Sequence, residues 1–197
     1  MFLLGILGLI ALNARAFNIS LRPEEVQEAY SLGQTTNHEE LADFLKQYEH
    51  KFESPADNSI AYAQSVEFET PYEQIVLRTH RTVDYTKFQA SEDYRANPGL
   101  VIVRAVVSLK NGYHGPEPAA ESFKITVSQM KNIEPRMTES NVICNPYLRM
   151  DAHCVVFTRA IFLQFNASQF GPGKATVTVI LPEGQSVETK YNVEKLK

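Results

Sequence analysis

Apolar residues along this chain change their spacing near residue 100, from mostly helical, with one alternating stretch at 60–70, to strand-like after it. In SLRPEEVQEAYSLGQ (20–34), Pro23 at a first helical position, Glu24 and Glu25 in the first turn and Gly33 as a stop predict a helix of about ten residues. TTNHEELADFLKQYEHKF (35–52) opens on the capping candidates Thr36 and Asn37, each with a glutamate three residues on. Its Leu41, Phe44, Leu45 and Tyr48 recur at helical spacing and form one packing stripe. ESPADNS (53–59) reads as a linker. After it, IAYAQSVEFET (60–70) alternates, with Ile60, Tyr62, Val66 and Phe68 expected on one side of a half-buried strand. Thr70, Pro71 and Glu73 read as a capping box opening a helix to about Thr79, and a second helix runs from Thr86 to the stop at Asn97–Gly99.

From Leu100 the texture is that of strands. LVIVRAVVSL (100–109) and HCVVFTRAIFLQF (153–165) are apolar on both faces, as central strands covered on both sides must be. Between them come a turn at Asn111 and Gly112, a surface loop YHGPEPAAE (113–121) and the alternating strand SFKITVSQM (122–130). ATVTVIL (175–181) and QSVETKYNV (185–193) flank Pro182, Glu183 and Gly184 and make a hairpin, with glycine where φ turns positive. The expected fold is α+β: N-terminal helices, then an antiparallel immunoglobulin-like β-sandwich with helices inserted after its first strand. Residues 17–55 form the helical section, and 56–197 the sandwich with its insertion at about 71–97.

The first sixteen residues stand apart. Phe2–Leu12 is an apolar run of 11 residues, about 16 Å as a helix and too short for a hydrocarbon core of about 30 Å. Ala14, Arg15 and Ala16 give a small-x-small cleavage pattern, so 1–16 reads as a signal peptide, removed before Phe17, although no Lys or Arg precedes the apolar run. The expectation is an exported chain, periplasmic or extracellular, with no membrane span once mature. With 44% hydrophobic and 21% charged residues the chain can bury a core, and 19 Lys plus Arg against 23 Asp plus Glu leave a net charge of -4. That balance offers no basic field to a nucleic acid.

Candidate chemistry is sparse. Cys144 and Cys154, the only two cysteines, enclose nine residues. In an exported chain a disulfide is the leading reading, against a metal site with His153 or two inert thiols. Zinc would need a fourth ligand, and adjacent His and Cys in a strand point to opposite faces, so no metal and no cofactor is expected. His80 and Asp84, four apart, could share a helical face as a general-base pair, or merely decorate a solvated helix end. Arg104 and Arg159 each stand in a long apolar strand, where a buried guanidinium is costly without a carboxylate. Each then makes an internal ion pair, turns to water at a bulge, or lines an anion pocket. No zinc-binding HExxH, Gly-x-Ser-x-Gly or phosphate-binding glycine loop occurs.

VQEAYSLGQ (26–34), VEFETPYEQIV (66–76) and the ending TVTVILPEGQSVETKYNVEKLK (176–197) together resemble a family of exported bacterial proteins, seen especially in Acidobacteria, that carries no established function. The resemblance implies a bacterial exported protein with a β-rich C-terminal half, and it transfers no site residue. The sequence therefore points to a non-enzymatic binding or structural module of the cell envelope, partnered through a sheet edge. Its alternatives are an enzyme assembled around His80, Asp84 and Arg159, or a carrier of a small ligand.

Overall fold

The structure is a computed structural model that describes residues 20–53, 60–109, 120–144, 149–150, 153–154 and 157–197. The expected signal peptide, most of the linker 53–59, the turn at Asn111 and Gly112 and most of the loop 113–121 lie outside the described residues. Among the described residues the architecture is α+β, with four α-helices early in the chain and two large antiparallel sheets. Helices α1 (Pro23–Gly33) and α2 (His38–Lys46) come first. Strands β1 (Glu49–Lys51) and β2 (Ala61–Glu69) follow, then α3 (Pro71–Arg81) and α4 (Lys87–Ala96). The remainder is β3 (Leu100–Leu109), β4 (Lys124–Gln129), β5 (Lys131–Ile133), β6 (Met137–Cys144), β7 (Arg149–Met150), β8 (His153–Cys154), β9 (Phe157–Asn166), β10 (Lys174–Ile180) and β11 (Ser186–Asn192).

The strands sort into a five-stranded sheet, β1-β2-β3-β9-β6, a four-stranded sheet, β11-β10-β4-β5, and a small β7-β8 ribbon. β3 and β9, the two strands apolar on both faces, pair over nine positions from Leu100↔Asn166 to Ser108↔Thr158. The two large sheets meet through one core, in which Phe68, Val101, Val103, Leu163 and Phe165 face Val127, Ala175, Val177 and Tyr191. Phe170 closes it, edge-on to both Phe68 and Phe165 at centroid distances of 5.2 and 5.6 Å. The hairpin at Pro182–Gly184 is as expected: Gly184 has φ 83° and β10 pairs with β11 over seven positions.

Two details of the helical section depart from the expected pattern. β1 occupies residues that the sequence pattern joins to α2, and it pairs with β2, so the inserted helices follow the second strand. In β2 the register shifts between Ala63 and Ser65, and this bulge puts Ala61 and Ala63 on the core side with Val66 and Phe68, leaving Tyr62 half-buried on the other side. Gly33 also works differently from a chain-turning stop. The residue after it, Gln34, keeps negative φ (-93°), and a Cβ on Gly33 would stand 2.6 Å from the Val76 carbonyl oxygen and 2.7 Å from Thr79 Cβ. The missing side chain lets α1 lie directly on α3. Around that contact Val26, Ala29, Leu41, Tyr72, Ile75, Val76, Tyr85 and Ala90 form a second core.

Candidate functional site

Titratable groups converge where β2 runs into α3. On β2, Glu67 and Glu69 share the face turned away from the core between the sheets. Opposite Glu67, as its cross-strand partner, stands Arg104 on β3. Its Nε donates to Glu67 Oε2 at 2.6 Å, its Nη2 also meets that oxygen, and Nε lies 3.6 Å from Glu69 Oε1. Arg104 thus makes the internal ion pair that its apolar strand required. The third acid, Glu73, stands three residues after the helix cap Thr70. Thr70 Oγ1 accepts its backbone N–H at 3.2 Å, so one half of the capping box forms. The Glu73 carboxyl, fully buried, makes no hydrogen bond of ordinary geometry, although the Thr70 N–H lies near enough to favour its charged form.

Burial raises two of these carboxyls, those of Glu69 and Glu73. It pushes Glu69 up to about 7, with the neighbouring Glu67 charge adding to the effect and Arg104 opposing it. It raises Glu73 well above the usual carboxylate range, again reinforced by Glu67 and Glu69 and opposed by Arg81. Desolvation likewise raises the Tyr48 and Tyr191 hydroxyls, which donate to the backbone oxygens of Lys197 (3.3 Å) and Val66 (2.6 Å). Two acids whose proton-bound forms are favoured thus lie beside one ion pair. Among the described residues, no group of three or more His, Cys, Asp or Glu is placed to hold a metal ion.

A cleft of about 80 Å³ opens beside this cluster without being lined by it, between Ile75 and Arg78 of α3, Tyr85, Asp93 of α4, and Leu100 and Ile102 of β3. Asp93 accepts from Tyr85 Oη at 2.7 Å and Arg78 Nη1 at 2.6 Å, contacts that hold its carboxyl below the usual range. Burial, then Asp93, push Tyr85 up to about 12. This small polar knot ties α4 to α3.

The residues singled out in the sequence do not come together as one site. α3 ends at Arg81 and Thr82 is extended, so His80 and Asp84 share no helical face; both are exposed, and Asp84 takes φ 61° in the turn after the helix. Arg104 and Arg159 are on opposite faces of the five-stranded sheet, because Arg159 pairs with the core residue Val107 whereas Arg104 pairs with Phe162. Arg159 is half-buried and its Nη1 donates to Ser140 Oγ at 3.3 Å. Cys144 ends β6 opposite Phe157, and Cys154 stands opposite Arg149 in the β7-β8 ribbon. The side chains of both cysteines and of His153 lie outside the described residues.

A different feature, absent from the sequence expectations, is β6. It closes one edge of the five-stranded sheet, pairing with β9 over eight positions, and among the described residues no strand pairs with its outer side. Every residue from Met137 to Ile143 is exposed, including Met137 (49%), Val142 (47%) and Ile143 (44%). The opposite edge, β1, has three residues, two of them the charged Glu49 and Lys51, which is how edges are commonly protected. β6 is longer and carries one charge, Glu139. Its sequence, MTESNVIC, has no regular alternation because neither face is buried, so no periodicity marks it as a strand. Among the described residues no helix is long and apolar enough to cross a membrane. No protein-family model matches this chain, and no curated protein matches it.

Proposed function

We propose that this chain is an exported, non-enzymatic binding module of the bacterial cell envelope that holds an extended segment of a protein partner by strand addition at β6. The observation that carries the reading is the edge strand β6, whose side chains from Met137 to Ile143 are exposed on both faces and whose outer side pairs with no strand among the described residues. An added strand gains main-chain hydrogen bonds there, and Met137, Val142 and Ile143 supply apolar contacts that select its side chains. Export rests on the apolar run Phe2–Leu12 and the Ala-Arg-Ala pattern after it. An immunoglobulin-like description of the body rests on its facing antiparallel sheets. The enzyme alternative draws no support from His80, Asp84 and Arg159, which stand apart.

Selection of extended peptides from a random library against the folded chain tests this reading. Selected peptides are expected to lose at least about tenfold in affinity for one of the variants Ser140→Pro and Asn141→Pro. Adjacent residues of an edge strand aim their backbone groups alternately inward and outward, so one of the two prolines removes an outward donor while sparing the β9 ladder. Peptides that bind both variants as well as the parent chain would place the binding surface elsewhere.

A further inference from the structure

The unpaired edge carries a pattern that specifies its own partner. We infer that β6 pairs with β6 of a second copy of this chain, antiparallel about a two-fold axis through Ser140, joining two five-stranded sheets into one continuous sheet. The inference rests on the strand-addition reading above and adds the identity of the added strand.

Symmetry first limits the registers. A two-fold axis perpendicular to a sheet leaves each side chain on its own face, and directly opposed residues of an antiparallel pair share a face. The two numbers in an opposed pair must therefore have the same parity, and the axis must pass through a residue. Among the central residues of β6 the choices are Thr138, Glu139, Ser140 and Asn141. An axis at Glu139 sets that carboxylate against its own copy, a like-charge pair that opposes association. An axis at Thr138 pairs Met137 with Glu139 and leaves Val142 and Ile143 without partners in the copy's strand. An axis at Asn141 puts Glu139 against Ile143.

The axis at Ser140 satisfies every position. Met137 meets Ile143 and Glu139 meets Asn141 on one face, while Thr138 meets Val142 and Ser140 meets itself on the other. The three exposed apolar residues are thereby matched with an apolar or β-branched neighbour, and the one carboxylate faces an amide that can donate to it. Seven residues, Met137 to Ile143, take part, the whole of the strand whose side chains are seen to be exposed. Opposed Cα atoms in such a pair lie about 4.5–5.5 Å apart, within disulfide range only for a residue that faces itself.

Cysteine cross-linking of the full chain decides the register. Under mild oxidation, Ser140→Cys is expected to give a covalent dimer on non-reducing gels at several times the level seen with the parent chain, which has the same native cysteines. Thr138→Cys, whose counterpart across the axis is Val142, is expected to stay at the parent level. Sedimentation of the parent chain should show a dimer, and Ile143→Lys, which faces the neutral Thr158 on its own β9 and sets a cation against Met137 of the second copy, should shift it to monomer while the folded circular-dichroism spectrum is kept. A parent chain that stays monomeric at high concentration, or Ser140→Cys linking no better than Thr138→Cys, overturns the inference. In that event the library peptides still decide strand addition, because their loss of affinity for the proline variants does not depend on a second copy.

Discussion

Glu73 departs from a local rule, and the departure makes the stability of the chain depend on pH. Its spacing from Thr70 reads as a capping box, and the backbone half of that box forms, yet its carboxyl is buried without a hydrogen bond of ordinary geometry. Spacing alone fixes the cap; which way the side chain turns depends on α3 lying against β2, which no local pattern encodes. Glu69 and Glu73 are held above the unfolded value of 4.5, so the native state binds more protons than the unfolded one. Their contribution is fully present below about pH 4.5 and is lost as pH rises, through about 7 for Glu69 and well above the usual carboxylate range for Glu73. Denaturant midpoints measured from pH 5 to 9 are thus expected to fall less steeply in Glu73→Gln than in the parent chain, with the variant the more stable at pH 8. Parallel curves would mean that Glu73 is ionised or solvated. Arg104 is legible as an internal partner because an apolar strand cannot bury a guanidinium alone, although its carboxylates are not. Arg104→Ala strands Glu67 and should cost about 3 kcal/mol, whereas replacing Arg104 and Glu67 together by leucine should cost much less. Equal losses in urea titration would show that the pair contributes little beyond packing.

At the scale of elements, strongly patterned segments are readable in the sequence and the unpatterned one is not. β3 and β9 announce themselves by apolar residues on both faces, and the β10-β11 hairpin by Pro182 and Gly184. β2 is readable as a strand but not in its faces, since the bulge after Ala63 reverses the alternation midway. β6 escapes because exposure on both faces removes the very signal that marks a strand. Gly33 reads as a helix stop, but its close approach to α3 is a tertiary fact. Gly33→Ala must push the Val76 carbonyl and Thr79 apart, at a cost of about 2 kcal/mol, or about 4–8 °C in melting temperature. An unchanged melting temperature would show that α1 can shift off α3 freely.

For the whole molecule, the facing sheets and the helices after β2 form a frame with two long edge strands among the described residues, β6 in one sheet and β11 in the other, of which β6 is the longer and has no buried side chain from Met137 to Ile143. The apolar cores account for the body, the Arg104–Glu67 pair ties β3 to β2, and the Asp93 knot ties α4 to α3. In the proposed reading β6 is the edge that a partner uses, and its candidate chemistry lies in the backbone rather than in any motif. Residue-resolved amide exchange of the dilute chain, with and without a library-selected peptide, tests this most directly. The account predicts that alternate amides between Met137 and Cys144 exchange rapidly in the free chain and become protected when the peptide is added, while the intervening amides, bonded to β9, are slow throughout. Outward amides already protected in the dilute chain, or unchanged by a bound peptide, would contradict it.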